Sequence, residues 1–231
     1  MLEVRLSQPR RGFRVEVEFT LEEGGALALF GPSGAGKSTV LACIAGFQQP
    51  AAGVIRLGGR QFFPPPLPLH RRGVGMLTQE PALFPHCTVE GNVAFGLPRP
   101  HSVEARAWLA RLREQMHLGD CWHAPATRIS AGQARRVALA RMLAPRPALV
   151  LLDEPFGGLD RGLVRGLLED FLTWRRELGF TLIAVDHQAE VLEQLCPRVL
   201  AMAAGRVVAS GSWAELRQRA PQAMAALLAP L

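Results

Sequence analysis

Lys37 closes the run Gly31-Pro32-Ser33-Gly34-Ala35-Gly36-Lys37-Ser38-Thr39, which fits G-x-x-x-x-G-K-[ST] residue for residue. Gly31, Gly34 and Gly36 let successive backbone N–H groups turn toward phosphate oxygens, and the helix start that follows adds the positive end of its dipole. Lys37 would place a compact ammonium between β- and γ-phosphates, with the Ser38 hydroxyl completing the coordination of Mg²⁺. Of the 26 basic residues in the chain, Lys37 alone is a lysine; every other one is an arginine. The exception falls where a point charge is needed and a broad planar guanidinium fits poorly. The chemistry this loop predicts is the binding of a nucleoside triphosphate.

A second constellation follows the apolar run 148–152, which ends in Asp153-Glu154-Pro155. A buried parallel strand delivers carboxylates in this way at its carboxyl end. Asp153 would hold Mg²⁺ through water, and Glu154 would polarise a water for in-line attack on the γ-phosphate. Alone, an Asp-Glu pair after a strand reads as a solvated turn; beside the loop it reads as machinery. Farther back, Ser130-x-x-Gln133 reads as a capping box that opens a helix over about 131–143, ended by Pro145 and Pro147. Such a helix start, with free N–H groups, a serine hydroxyl and Gly132 allowing close approach, can also hold a phosphate.

These residues need positioning elements, and the patterning supplies them. The run 26–30 suits a short buried parallel strand and 38–45 an apolar helix, giving the strand, loop, helix order a phosphate cradle requires. Alternation through 2–21, notably Val15, Val17 and Phe19, and the strand and turn at 54–59 predict an antiparallel β-subdomain. The prolines Pro64, Pro65, Pro66 and Pro68 make 62–68 an extended surface loop without helix or central strand. From about 82 to 128 the pattern turns helical, with Val103, Ala107, Leu109, Leu112 and Met116 spaced for an apolar face and Gly119-Asp120 as a break. This predicts an α-helical subdomain. The tail reads as helix at 191–196, strands at 199–203 and 207–210, and an alanine-rich helix at 213–228, with no regulatory domain expected. The fold class is α/β.

In this order the motifs resemble the nucleotide-binding subunits of ATP-binding cassette (ABC) transporters, and the resemblance covers almost the whole chain. Gln79, in Leu77-Thr78-Gln79-Glu80, is similar to the Q-loop glutamine that contacts Mg²⁺ and the attacking water. His187 resembles the switch histidine on the γ-phosphate, and Gly158-Leu159-Asp160 the D-loop at the dimer interface. Ile129-Ser130-Ala131-Gly132-Gln133 looks like the signature L-S-G-G-Q, with isoleucine for leucine and alanine for the first glycine. The methyl of Ala131 could crowd the phosphate contact or restrict the backbone. The resemblance implies one ABC ATPase domain over 1–231, with a P-loop NTPase (RecA-like) core that binds ATP and Mg²⁺. It implies a homodimer in which Ser130, Ala131, Gly132 and Gln133 of one copy meet the nucleotide held by the other. In a chain without tyrosine the family's adenine-stacking position falls on Phe13, where a strand-end core phenylalanine fits as well. The stretch 83–89 resembles the L-F-P-H-x-[ST]-V of importer-type subunits, whose groove receives a permease helix; packing alone also accounts for Leu83 and Phe84. Implied partners are integral-membrane permease subunits and a substrate-binding protein, at the cytoplasmic face of the membrane. The motif style is closest to small cassettes for molybdate, sulfate or thiamine.

The 231 residues suit one sizeable domain, and 48% hydrophobic with 20% charged residues argues against a disordered or fibrous chain. No run nears the ~18–20 apolar residues of a membrane span, and the first 14 residues lack the pattern of a secretory signal. Cys43, Cys87, Cys121 and Cys196 are too scattered for a disulfide framework or a zinc site. The net charge of +6 comes from dispersed arginine pairs rather than one basic stripe, so no nucleic acid is expected. Two rivals remain at this stage: a soluble ABC-type ATPase acting on DNA or the ribosome, and a P-loop kinase.

Overall fold

The computed structural model describes residues 1–97, 99–159 and 161–219. Asp160 and the end of the alanine-rich tail, 220–231, lie outside the described residues. In chain order the elements begin β1 (Leu2–Arg10), β2 (Phe13–Leu21), β3 (Ala26–Phe30), α1 (Lys37–Ala45), β4 (Ala52–Leu57), β5 (Arg60–Phe63) and β6 (Val74–Leu77). They continue with α2 (Val89–Ala94), α3 (Val103–Gln115), α4 (Ala131–Leu143), β7 (Leu149–Asp153), α5 (Arg161–Leu178) and β8 (Thr181–Val185). The last are α6 (Ala189–Leu195), β9 (Arg198–Ala203), β10 (Arg206–Ser212) and α7 (Trp213–Arg219). The chain forms two compact units, one of residues 1–74, 149–155 and 180 onward, the other of 75–148 and 156–179.

In the first unit, strands lie side by side in the order β5-β4-β1-β2-β10-β9-β3-β8-β7. β3 and β8 have every residue buried, as expected for strands covered on both faces, and they pair in parallel, with β9 and β7 parallel on either side. The expected antiparallel part is the β1–β2 hairpin, in unbroken register from Leu2 opposite Leu21 to Arg10 opposite Phe13, with β4 antiparallel on β1. Its alternation turns Leu2, Val4 and Leu6 inward with Val15, Val17, Phe19 and Leu21. α1 packs against β2, β7 and β8 and buries six of its residues, among them Val40, Leu41 and Ile44.

The 62–68 segment departs from the expected surface loop. Phe62 is fully buried and belongs to the edge strand β5, paired with β4 alone. The prolines begin only at Pro64, and an edge strand needs no donor on its open side, so pairing reaches Phe63 before they stop it. Beside Phe62 lies Arg72, 3% exposed, with its guanidinium 5.2 Å from the ring centroid. Arg72 donates to the carbonyls of Leu67 (2.8 Å), Cys43 (2.9 Å) and Ile44 (2.8 Å). The last two belong to the final turn of α1, where carbonyls have no partner within the helix and a cation suits the negative dipole end.

The second unit is helical. α3 carries a correction to the expected apolar face: Val103 and Ala107 are exposed, and Trp108, Leu109, Leu112 and Met116 are buried. Ser102 caps the helix on Ala105 N, which makes Val103 its first residue. The core stripe then follows the large ring of Trp108, whose Nε1 donates to Ala144 O (2.9 Å) and which meets Trp174 of α5 edge-on at 5.4 Å. α4 runs over Ala131–Leu143, as expected. Its Arg135 donates to Thr78 O (2.6 Å) and Gln79 O (3.0 Å), and its Arg141 to Pro81 O (2.9 Å) and Ala82 O (2.9 Å), so one helix holds the strand-exit segment 78–82 by its carbonyls. None of the described helices is long and apolar enough to cross a membrane.

Replacing Arg72 by alanine leaves three carbonyls without their donor, two of them at the end of α1. Arg72→Ala should lower unfolding free energy by about 2–4 kcal/mol, read as a fall in urea midpoint with unchanged slope.

Candidate active site

Between β3 and α1 the chain passes two points that admit only backbone. A Cβ at Gly31 would collide with Met202 O on β9, and one at Gly36 would sit 2.6 Å from Val15 Cγ2 on β2. Gly36 also opens α1 in the left-handed region, φ 100°, where a side chain costs most. Confined in this way, the loop carries its N–H groups past the open end of the sheet. The Lys37 ammonium lies back over the loop, donating to Gly31 O (2.7 Å) and Pro32 O (3.0 Å). Burial lowers the Lys37 pKa, opposed by the nearby charges of Glu154 and Asp153.

Asp153 ends β7, and the Ser38 hydroxyl donates to its Oδ1 at 3.2 Å. Burial raises the Asp153 carboxyl above its ordinary value, and the Ser38 hydrogen bond works against the shift. Glu154 follows in the left-handed region, φ 49°, with its N–H held by Val185 O (2.8 Å) at the end of β8. That conformation is strained for a glutamate and turns it out of the strand line. His187 stands past the same strand end, with Nδ1 3.9 Å from Glu154 Oε2 and 3.5 Å from Asp186 Oδ1. Asp186 is 2% exposed, accepts a bond from Gln188 N (2.9 Å), and has its carboxyl pushed up by burial. The parallel strands β3, β7 and β8 thus deliver Lys37, Ser38, Asp153, Glu154 and His187 at their carboxyl ends, where open α/β sheets bind ligands.

A cavity of about 660 Å³ opens here, lined by Ser33, Gly34, Gly36, Lys37, Ser38, Thr39 and Glu154, and by Phe13 from β2. Arg10 and Arg11 also line it. In the sequence they were one basic pair among several; the hairpin register that sets Arg10 opposite Phe13 is what brings them here.

Gln79 and the Ser130–Gln133 segment belong to the second unit. Ser130 Oγ accepts from Gln133 N (3.2 Å) while Gln133 Oε1 accepts from Ser130 N (2.9 Å), the predicted capping box. Ala131 is exposed and is the first residue of α4. Gly132 is the tight position, since a Cβ there would lie 2.9 Å from Leu163 Cδ2. Gln79 is exposed, with its carbonyl held by Arg135 of the helix that Ser130 caps.

The family model described as ABC transporter matches residues 15–157, more than half of the chain and the span that holds the loop, both carboxylates and the capping box. The chain belongs to the ABC transporter family. It is 43% identical over 205 residues to the Fe(3+) ions import ATP-binding protein of Rhodococcus jostii, covering 87% of this chain and 58% of that protein. It is 39% identical to the spermidine/putrescine import ATP-binding protein of Thermobifida fusca, at 87% and 52% coverage. With the molybdenum import ATP-binding protein of Methylococcus capsulatus it shares 37% identity at 90% and 59% coverage. The chain therefore spans little more than half the length of these curated relatives. A dimeric ATP-binding cassette solved in a post-hydrolysis state with ADP and Pi has the same fold, with TM-score 0.78 and 23% identity over 92% of this chain and 98% of that one. In this ABC family member the α/β P-loop fold expected from the sequence is the fold observed.

The strain at Glu154 gives a stability test independent of any activity. Glu154→Gly should raise stability by up to about 1 kcal/mol, read as a higher melting temperature.

Proposed function

We propose that this chain binds and hydrolyses ATP as the motor subunit of an ABC importer, acting as a homodimer at the cytoplasmic face of the membrane. Its partners would be integral-membrane permease subunits and a substrate-binding protein. One observation carries the proposal: in a member of the ABC transporter family, Lys37, Ser38 and Glu154 line one cavity beside a glycine-confined loop, with Asp153 bonded to Ser38 and His187 Nδ1 3.9 Å from Glu154. The import ATP-binding proteins among the relatives favour import over the DNA- or ribosome-directed alternative. Those relatives are named for three different cargoes, so the proposal commits to none.

ATP would lie with its adenine on Phe13 and its phosphates along Gly31–Thr39. Lys37 would exchange its two carbonyl partners for phosphate oxygens, pairing its ammonium with anionic acceptors in place of neutral ones. Glu154 would accept the proton of the water attacking the γ-phosphate, with His187 beside it to hold the phosphate, giving ADP and inorganic phosphate. The donors fit Mg²⁺: a hydroxyl and a carboxylate oxygen 3.2 Å apart, with no cluster of three metal-binding side chains among the described residues. A cation that keeps waters and takes substrate phosphates needs no larger protein set. Ser38, Asp153 and Gln79 would hold it. When bound, Mg²⁺ neutralises charge on the β- and γ-phosphate oxygens. The roles of Gln79, Asp160 and the Ser130–Gln133 helix start, the last meeting a second copy's ATP, rest on the order of the motifs.

Glu154→Gln keeps the shape and removes the base. It should bind ATP, turn over about 100-fold or more slower, and accumulate as a dimer in size-exclusion chromatography with ATP; wild-type turnover would sink the assignment. Lys37→Arg should weaken ATP binding by about tenfold or more, measured by titration calorimetry.

A further inference from the structure

The turn between β9 and β10 touches two parts of the site far apart in sequence. Ala204 and Gly205 both take positive φ there, 45° and 82°. Gly205 N–H donates to Ala35 O, in the middle of the phosphate loop, at 3.1 Å. Gly205 O accepts from Glu16 N, on β2, at 2.7 Å. A Cβ at Gly205 would collide with Arg14 O and lie 2.8 Å from Phe13 Cδ2. One glycine thus has the phosphate loop on one side and the root of the cavity-lining Phe13 on the other. Both contacts run through main chain, which cannot swing aside as a side chain can.

We propose that Gly205 is a positioning residue, its turn a strut that fixes the distance between the phosphate loop and the Phe13 ring, so that the site favours a phosphate chain carrying a base. This rests on the ATP-binding function proposed above and adds a device that selects for the nucleoside. A nucleotide spans both ends at once, so a site held at the right separation before binding loses less in ordering. The closest contacts of an added methyl at Gly205 are Arg14 O and the Phe13 ring, not Ala35, so the displacement falls on the Phe13–Arg14 side. Displacement at Phe13 costs the base stack and leaves the loop's own N–H groups in place.

The test compares two ligands by titration calorimetry, ADP and inorganic tripolyphosphate. Gly205→Ala should weaken ADP about tenfold, the scale of one lost base–aromatic stack, and change tripolyphosphate by less than about twofold. In a Phe13→Ala background the same substitution should add no further loss for ADP, because it acts through that ring. Equal weakening of both ligands, or additive losses in the double variant, would overturn the strut. If Gly205→Ala gives no cooperative melt, hydrogen exchange on the wild-type chain decides. Tripolyphosphate should then slow exchange at 203–206 and 13–16 as well as in the loop, and protection confined to the loop would overturn the proposal. A wild-type chain that binds neither ligand would overturn the ATP-binding function as well; a wild-type chain that binds both, with a Gly205→Ala variant that lacks the split, sinks only the strut.

Discussion

The phosphate loop runs where Met202 O presses on one side and Val15 on the other, and both constraints are met by leaving out a side chain. Everything near the site takes its place from that confinement. The loop enters from a strand buried on both faces and leaves into a helix buried along most of its length, so it is held at both ends by elements that cannot yield. The two ends of α1 are treated in opposite ways. Two of its last carbonyls are taken up by the Arg72 guanidinium, while its first residues line the cavity. The helix thus keeps its positive end for an anion from solution and has its negative end neutralised from within the protein.

Features with local signals were legible in the sequence. Gly31–Thr39, the Asp153-Glu154 pair and the Ser130–Gln133 capping box each declare themselves within a few residues, because their physics is that of a turn, a strand end and a helix start. What escaped depends on distant partners. Arg72 belonged to one of the dispersed basic pairs and is a buried cap; Phe62 was expected in a loop and is core. On α3, the apolar spacing pointed to Val103 and Ala107, whereas the phase is set by Trp108 packing on Trp174 and Ala144, which no local pattern contains. Nor does any pattern mark the left-handed turn at Glu154, whose amide is held by Val185 from another strand.

The abundance of arginine also takes on a structural meaning. Arg72, Arg135 and Arg141 each spend their donors on backbone carbonyls rather than on carboxylates. A guanidinium can serve several carbonyls at once in a fixed plane, which suits segments such as 67–72 and 78–82 where strands end and no regular ladder takes over. Part of the positive charge is thus internal scaffolding, in keeping with its lack of any single basic stripe.

Arg135 has a mechanical corollary. It sits one turn into the helix that Ser130 caps and grips the main chain at Thr78 and Gln79. The glutamine segment is therefore tied by its main chain to the early part of α4. A shift of that helix start is handed to Thr78 and Gln79 through a single guanidinium.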